Sequence, residues 1–357
     1  MNNNYNRPPQ RPQGQRRQPS SQRPQSAGIN LSYNTICLVI CFALLLVNAK
    51  VFSMIVTGNE SLDAKIVVPV ISEEEQQRLN ELERIKNDVQ NNYTPITVTD
   101  DDTKRGNLIL VDSTHEYSFD AVSTLVHDEE AVTIPDSADG SYWVKSNYDL
   151  LKPEALSALD RLLSDFAKEH NNTDVMIFDT YRSFEDQQRV LTNKIAELGE
   201  EEGRKIATAP GFSEHHTCLA LDLTLFNGSE YRDYDGNGIY KWITDNCYKY
   251  GFVIRYPADK THITGISYEP WHLRYVGKEH AYYMTKNGLC LEEYIQLLSA
   301  LSVDENRLQF TDDENSTYLI YSAPVTETEK TVLVPKNGSY TLSGDNNGRI
   351  IVSCKLS

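Results

Sequence analysis

Apolar residues recur along this chain in two rhythms, and the switches between them mark its elements. From 153 to 170, Leu156, Leu159, Leu162, Leu163 and Phe166 fall three or four residues apart. That stripe predicts an amphipathic helix, with Pro153 in the first turn, where its missing N–H costs nothing. By contrast, Leu219, Leu221, Leu223 and Leu225 alternate with Ala220, Asp222 and Thr224. Period-two alternation predicts a strand that buries the leucines on one face and turns Asp222 to the other. Short apolar runs at 108–111 and 175–178 predict two more strands. A helix is expected over 184–198, another over 241–250 ended by Gly251, a strand over 252–256, and a last helix over 291–301. Residues 307–357 change character: β-branched and aromatic runs separated by Asn-Gly, Ser-Gly and Asp-Asn-Asn-Gly turns predict a small β appendage.

The amino-terminal third is organised differently. Residues 1–34 are rich in Asn, Gln, Pro, Arg and Ser and have almost nothing to bury, so a disordered tail is expected. The apolar run from Ile36 to Ala49 resumes after Lys50 and continues to Val56. Its length predicts a transmembrane anchor over 35–57, with Lys50 able to snorkel. The upstream arginines keep the tail cytoplasmic and the remainder crosses, a single-pass arrangement with the C-terminus outside the cell. Small residues at Val47-Asn48-Ala49 leave a cleaved signal peptide and secretion as the alternative. Ser72-Glu73-Glu74-Glu75 reads as a capping box opening a helix whose narrow stripe is Leu79, Leu82, Ile85 and Val89. Residues 58–105 are therefore expected as a solvated stalk, closing in linker over 91–105. The predicted fold class is α+β: one domain over 106–302 with a small antiparallel sheet flanked by helices, followed by the β appendage at 303–357.

Charge narrows the partners. Residues 1–50 hold six basic side chains and no acid, so residues 51–357 carry 28 basic against 51 acidic groups. So acidic a surface excludes nucleic acid as a partner. Cys218, Cys247, Cys290 and Cys354 lie outside the apolar run, an even number that permits disulfides in an exported domain.

The chemistry concentrates in two segments, Ser213-Glu214-His215-His216-Thr217-Cys218-Leu219-Ala220-Leu221-Asp222 and Glu269-Pro270-Trp271-His272. Together they offer two imidazoles and a carboxylate as candidate metal ligands, His215, Asp222 and His272, with Glu269 able to handle protons. A hydrolytic zinc site needs that inventory: three protein ligands, an open position and a base. An aspartate on a strand with a leucine-rich opposite face needs a compensating partner, and a cation is one. Pro270 holds Glu269 extended and Trp271 anchors the segment. His216, His262 and His280 are spare imidazoles. Asp233-Tyr234-Asp235-Gly236-Asn237-Gly238 opens like a calcium loop, but its twelfth position falls on Thr244, so a plain turn is expected.

These motifs resemble the zinc D-alanyl-D-alanine metallopeptidases of the VanY type, whose pattern is Ser-x-His-x-x-Gly-x-Ala-x-Asp followed by Glu-x-Trp-His. Ser213, His215, Ala220, Asp222, Glu269, Trp271 and His272 match it. So do Tyr181-Arg182-Ser183 with Gln187 upstream, and Arg255-Tyr256-Pro257 with Lys260 and Thr264-Gly265. The resemblance covers roughly residues 106–300. It implies Zn2+ held by His215, Asp222 and His272, Glu269 as general base, and Arg182 at the developing oxyanion or the scissile carbonyl. Ser213, Gln187 and Trp271 become candidates for contact with substrate. The implied activity is removal of the terminal D-alanine from peptidoglycan stem peptides ending in D-Ala-D-Ala. A D-Ala-D-Ala dipeptidase, a wall endopeptidase and a non-catalytic wall-peptide-binding module with structural zinc are the alternatives. One position departs from the pattern: Cys218 stands where the family has glycine. A disulfide between Cys218 and Cys247 would compensate for it, and Cys290 with Cys354 would then tie the appendage to the last helix.

Overall fold

The computed structural model describes residues 72–123, 130–146 and 149–356. The tail and anchor expected over 1–57 lie outside the described residues, as does the start of the stalk. Among the described residues, no helix is long and apolar enough to cross a membrane. Helix α1 (Glu73–Asn92) starts at Ser72, whose hydroxyl accepts from the Glu75 N–H. Strand β1 (Tyr93–Thr97) follows, then the two-residue strands β2 (Val132–Thr133), β3 (Trp143–Val144) and β4 (Leu150–Leu151). Helix α2 (Pro153–His170) has its proline in the first turn and ends at Asn171, which takes the left-handed conformation with φ 48°. After β5 (Val175–Asp179), a capping box between Ser183 and Asp186 opens α3 (Phe184–Leu198). Next come α4 (Glu200–Ile206), β6 (Ala220–Phe226), β7 (Tyr231–Arg232), α5 (Lys241–Asn246) and β8 (Phe252–Ile254). Then α6 (Thr261–Thr264), β9 (His272–Tyr275), α7 (Lys278–Asn287) and α8 (Leu291–Ser299) complete the helical part. Five strands close the chain: β10 (Leu308–Thr311), β11 (Thr317–Pro324), β12 (Thr331–Pro335), β13 (Ser339–Gly344) and β14 (Arg349–Lys355).

The alternating leucines sit at the heart of a six-stranded sheet ordered β3-β5-β6-β9-β8, with β7 also paired to β6. It is antiparallel except between β3 and β5. Leu221, Leu223 and Leu225 face the stripe of α2, and with Phe166, Val175, Ile243 and Phe252 they form one core. A second core joins Leu108, Val276, Tyr294 and Leu298 to Ile320 and Ile351. The carboxy-terminal sheet, ordered β10-β11-β14-β13, therefore packs on the helices α7 and α8. The fold is mixed α and β, with the main sheet carrying the candidate site on the face opposite α2.

Several expectations change. Residues 91–105 are not linker: β1 pairs antiparallel with β12, from Tyr93 opposite Pro335 to Thr97 opposite Thr331. The end of α1 is held too, since Arg307 bonds Asp88 and the Ile85 carbonyl, so this part of the stalk is docked rather than solvated. The run 108–111 is buried but joins no ladder. Its backbone is satisfied sideways: Leu108 donates to Ser343, and the Asn107 and Ile109 carbonyls accept from Arg274. The helix over 241–250 tightens to a 3-10 turn at Cys247, and the strand after it stops at Ile254. Helices α4, α6 and α7 are additions to the elements that the sequence pattern predicts.

The disulfides do not form. Cys247 is a buried free thiol inside the main core, with its Sγ directed at the Thr244 carbonyl, so it does not bond Cys218. Cys290 and Cys354 are buried free thiols as well. Cys290 caps α8, while Cys354 packs with Tyr93, Tyr321 and Val334 in a third core.

Candidate metal centre and active-site cleft

Strand register creates the site. Asp222 on β6 lies directly opposite His272 on β9, and cross-strand neighbours on one face bring their side chains together. His272 Nδ1 is 3.1 Å from Asp222 Oδ1. His215 comes from the 3-10 turn Glu214–Thr217 just before β6, and its Nε2 lies 3.4 Å from Asp222 Oδ2. Each oxygen of one carboxylate thus faces one imidazole. Donor atoms of the three residues all lie within 4.8 Å of one another, close enough to share one cation. Cys218 makes the geometry possible: it takes φ 58°, ψ 22°, reversing the chain between the turn and the strand. The family's glycine position is left-handed here, with a side chain on it.

Electrostatics agree with a cation at this point. Burial raises the cost of charge on Asp222, yet His215 and His272 hold its carboxyl well below the ordinary range. Burial works to lower the His272 pKa, but Asp222 and Glu214 overcome it and push it up to about 9. The buried Asp222 Oδ1 has no hydrogen-bond partner. Two imidazoles and a carboxylate converging on one point, with an orphaned oxygen, fit a zinc ion by donor type and number. His215 donates its Nδ1 proton to the Thr180 carbonyl, which leaves Nε2 as its free nitrogen.

Glu269 arrives from the segment before β9. Its amide donates to the Tyr256 carbonyl at 3.1 Å, and its Oε2 stands 3.7 Å from His272 Nδ1. Burial, helped by the charge of Asp222, raises its pKa to about 8, although His272 and Arg182 pull the other way. Arg182 reaches in from the turn before α3, bonding Asp179, Gln187 Oε1 and Asp222 Oδ2, each at 3.1 Å. Gln187 spends the other end of its amide on the Thr208 carbonyl at 2.8 Å. Both ends of the amide are engaged within the protein, which orients Arg182, and Gln187 also lines the cleft. Ser213 is buried, Trp271 packs against the main core, and both line a cavity of about 830 Å³ together with Arg182, Glu269, His272 and Tyr268.

The spare imidazoles stay apart from the centre. His216 Nδ1 donates to the Arg182 carbonyl at 2.7 Å and its Nε2 accepts from the Gly211 N–H, so it braces the loop. His280 bonds Tyr294 and Ser353, and His262 is exposed. The Asp233–Gly238 stretch is a turn: Asp235 accepts from the Asn237 N–H and a 3-10 turn follows. Sequence reasoning missed a buried ionic cluster under the site. Glu214 Oε1 accepts from Arg255 Nε and Arg274 Nη1, each at 2.7 Å, and Glu292 holds Arg255 through two bonds. Burial opposes the charge of Glu214, but the two arginines keep its carboxyl well below the ordinary range. The available signal is two arginines inside otherwise buried strand segments, each of which needs an acid.

Comparison with known proteins points the same way. The family model of VanY, D-alanyl-D-alanine carboxypeptidase, matches residues 148–278. A D-alanyl-D-alanine carboxypeptidase of Enterococcus faecium is 32% identical over 257 residues, 72% of this chain and 78% of the relative. The chain belongs to the VanY family. It is accordingly an enzyme, a zinc metallopeptidase. The bifunctional D-Ala-D-Ala dipeptidase and carboxypeptidase VanXYC of Enterococcus gallinarum is 35% identical over 162 residues, 43% of this chain and 82% of its own length. The solved structure of the D,D-dipeptidase VanXYg with a D-Ala-D-Ala phosphinate analog superposes with a TM-score of 0.63 at 29% identity. It covers 74% of this chain and 99% of that one, so the VanY-family fold here extends well beyond the segment the family model matches.

Proposed function

We propose that this VanY-family enzyme removes the terminal D-alanine from peptidoglycan stem peptides, with zinc held by His215 Nε2, Asp222 and His272 Nδ1. The observation that carries the reading is a three-donor cluster within 4.8 Å with a carboxylate of raised pKa beside it, on the wall of a substrate-sized cleft. Zinc held by these three residues would supply Lewis acidity for the activation of water at the centre. Glu269 takes the proton of the attacking water as its oxygen bonds the carbonyl carbon. It then delivers that proton to the departing amine as the C–N bond breaks, releasing D-alanine and a shortened peptide. Arg182 offers fixed positive charge against the oxyanion that appears only in the transition state. Gln187 and Asp179 keep its guanidinium turned inward.

A specific observation favours a peptide over a free dipeptide. A second pocket of about 310 Å³, reaching Arg204, Phe212 and Gly265, shares Ala207, Thr208, Tyr256 and Ile266 with the cleft. The pocket adjoins the cleft across these four residues, which supports a place for upstream residues of a stem peptide beside the centre. The bifunctional relative supports a secondary dipeptidase activity at the same site. On this reading the enzyme works outside the cell, tethered through the apolar run over 35–57; the charge asymmetry across that run supports it.

Glu269→Gln tests the assignment. Zinc content by elemental analysis should stay at wild-type stoichiometry, while D-alanine release from a pentapeptide precursor falls by a factor on the order of 10² to 10⁴. Retained turnover would refute the role of Glu269, and a wild-type protein without stoichiometric zinc would refute the reading as a whole.

A further inference from the structure

The two imidazoles at the centre are held by different kinds of partner. His215 is fixed by a neutral peptide carbonyl. His272 turns its Nδ1 towards Asp222, and its other nitrogen, Nε2, points away into the protein interior, where Glu214 Oε2 stands 3.5 Å away. Both of these atoms are buried and neither has a hydrogen-bond partner. Two orphaned, complementary polar atoms facing each other in the protein interior are costly unless they bond one another.

Glu214 cannot turn aside. Its Oε1 is gripped by Arg255 and Arg274. Arg255 is anchored in turn by Glu292 at the start of α8, and Arg274 by the Asn107 and Ile109 carbonyls. The side chains of Glu214, Arg255 and Arg274 are at most 1% exposed. Two acids and two bases balance the cluster, leaving one carboxylate oxygen spare and aimed at His272.

We propose that Glu214 is a positioning residue for the metal centre: its Oε2 accepts the Nε2 proton of His272, fixes that tautomer, and so directs the lone pair of Nδ1 at the zinc. A carboxylate behind a ligating imidazole locks the ring and raises its basicity. The proposal rests on the zinc reading above, and deepens it by naming what orients its second imidazole.

The test uses the zinc-loaded enzyme and three variants. In ¹⁵N-labelled wild type, His272 Nε2 should carry a proton and Nδ1 should show the shift of a metal-bound nitrogen. The reverse assignment overturns the proposal, and this measurement needs no variant to fold. Glu214→Asp keeps the anion between the arginines but shortens its reach, and Glu214→Gln removes the charge. Competition with a chelator should show zinc bound about 10- to 100-fold more weakly in each. Glu292→Gln disturbs the same arginines without touching His272. It should lower the melting temperature yet leave zinc affinity within about 3-fold of wild type, well below the 10- to 100-fold weakening expected at Glu214. Equal weakening in Glu292→Gln and Glu214→Asp would mean general softening of the core and would sink the idea. Wild type that binds no zinc would defeat the parent reading instead, so the two failures remain distinct.

Discussion

Cys218 occupies a backbone conformation that most side chains avoid, at φ 58°, and it does so two residues before the strand that delivers Asp222. A left-handed L-residue costs roughly 1–2 kcal/mol. Here the strain is opposed by burial of the side chain and by the lower chain entropy of a non-glycine residue, which together recover about 1–2 kcal/mol. These terms nearly cancel, which explains how the chain tolerates losing the family's glycine without a disulfide. Cys218→Gly should therefore unfold in urea within about 1 kcal/mol of wild type, whereas Cys218→Val, β-branched at the same φ, should lose about 2 kcal/mol or more. A valine variant as stable as the glycine one would show that the turn is not left-handed. Most of the centre is legible at this scale. Asp222 reveals itself by alternating with leucines, and Glu269 and His272 by their spacing around Pro270 and Trp271. Glu214 stays hidden because its significance depends on Arg255 and Arg274, which are 41 and 60 residues away in sequence. Gln187 is visible as a motif residue, but only the structure shows both ends of its amide engaged within the protein.

At the scale of elements, legibility follows the length of the periodic run. The stripe of α2 and the alternation of β6 are long and strongly patterned, and both appear where expected. β1 has five residues, includes Pro95, and finds its partner over 230 residues away, so local pattern reads it as linker. The run 108–111 misleads in the opposite sense: it is apolar because it is buried, yet Arg274 takes the Ile109 carbonyl, and that of Asn107 just before the run, where a neighbouring strand would otherwise bond. The docking of 93–105 has a sharp test at Gly344 on β13. A Cβ there would clash with the Thr103 carbonyl oxygen, against backbone that cannot swing aside. Gly344→Ala should cost about 2–3 kcal/mol by overpacking in a chain that begins at Ser72. In a chain beginning at Gly106 the obstruction is gone, so the same substitution should cost only a few tenths of a kcal/mol. Denaturant titration of the four proteins decides it; equal costs in both backgrounds would mean that the segment does not lie against β13.

For the molecule as a whole, the question is how the carboxy-terminal sheet is coupled to the part that carries the metal centre, and His280 stands at that joint. It lies on α7, its Nδ1 meets the Tyr294 hydroxyl on α8 at 2.8 Å, and its Nε2 meets Ser353 Oγ on β14 at 3.0 Å. The nearest carboxylate is Glu279, 3.7 Å from Nε2. Burial lowers the His280 pKa, and Glu279 opposes this without reversing it. The folded state thus keeps the ring neutral at a pH where the unfolded chain, near its ordinary 6.5, already takes a proton. Stability from this group is complete above about pH 6.5 and is lost as pH falls towards the depressed folded value, by up to roughly 1.4 kcal/mol per pH unit. Glu269 and His272, whose pKa values are raised to about 8 and about 9, work in the opposite direction in the metal-free protein. Wild type and His280→Gln share those contributions, so the difference between their profiles isolates His280. Unfolding free energies measured from pH 7.5 to 5 should show the variant less stable at the upper end, where it lacks the buried imidazole's contacts. Its profile should also be flatter on the acid side by up to one proton. His216, likewise lowered by burial, keeps a residual slope in both proteins. Parallel profiles would mean that His280 takes up its proton within the folded protein, and the joint between sheet and helices would then be open to water.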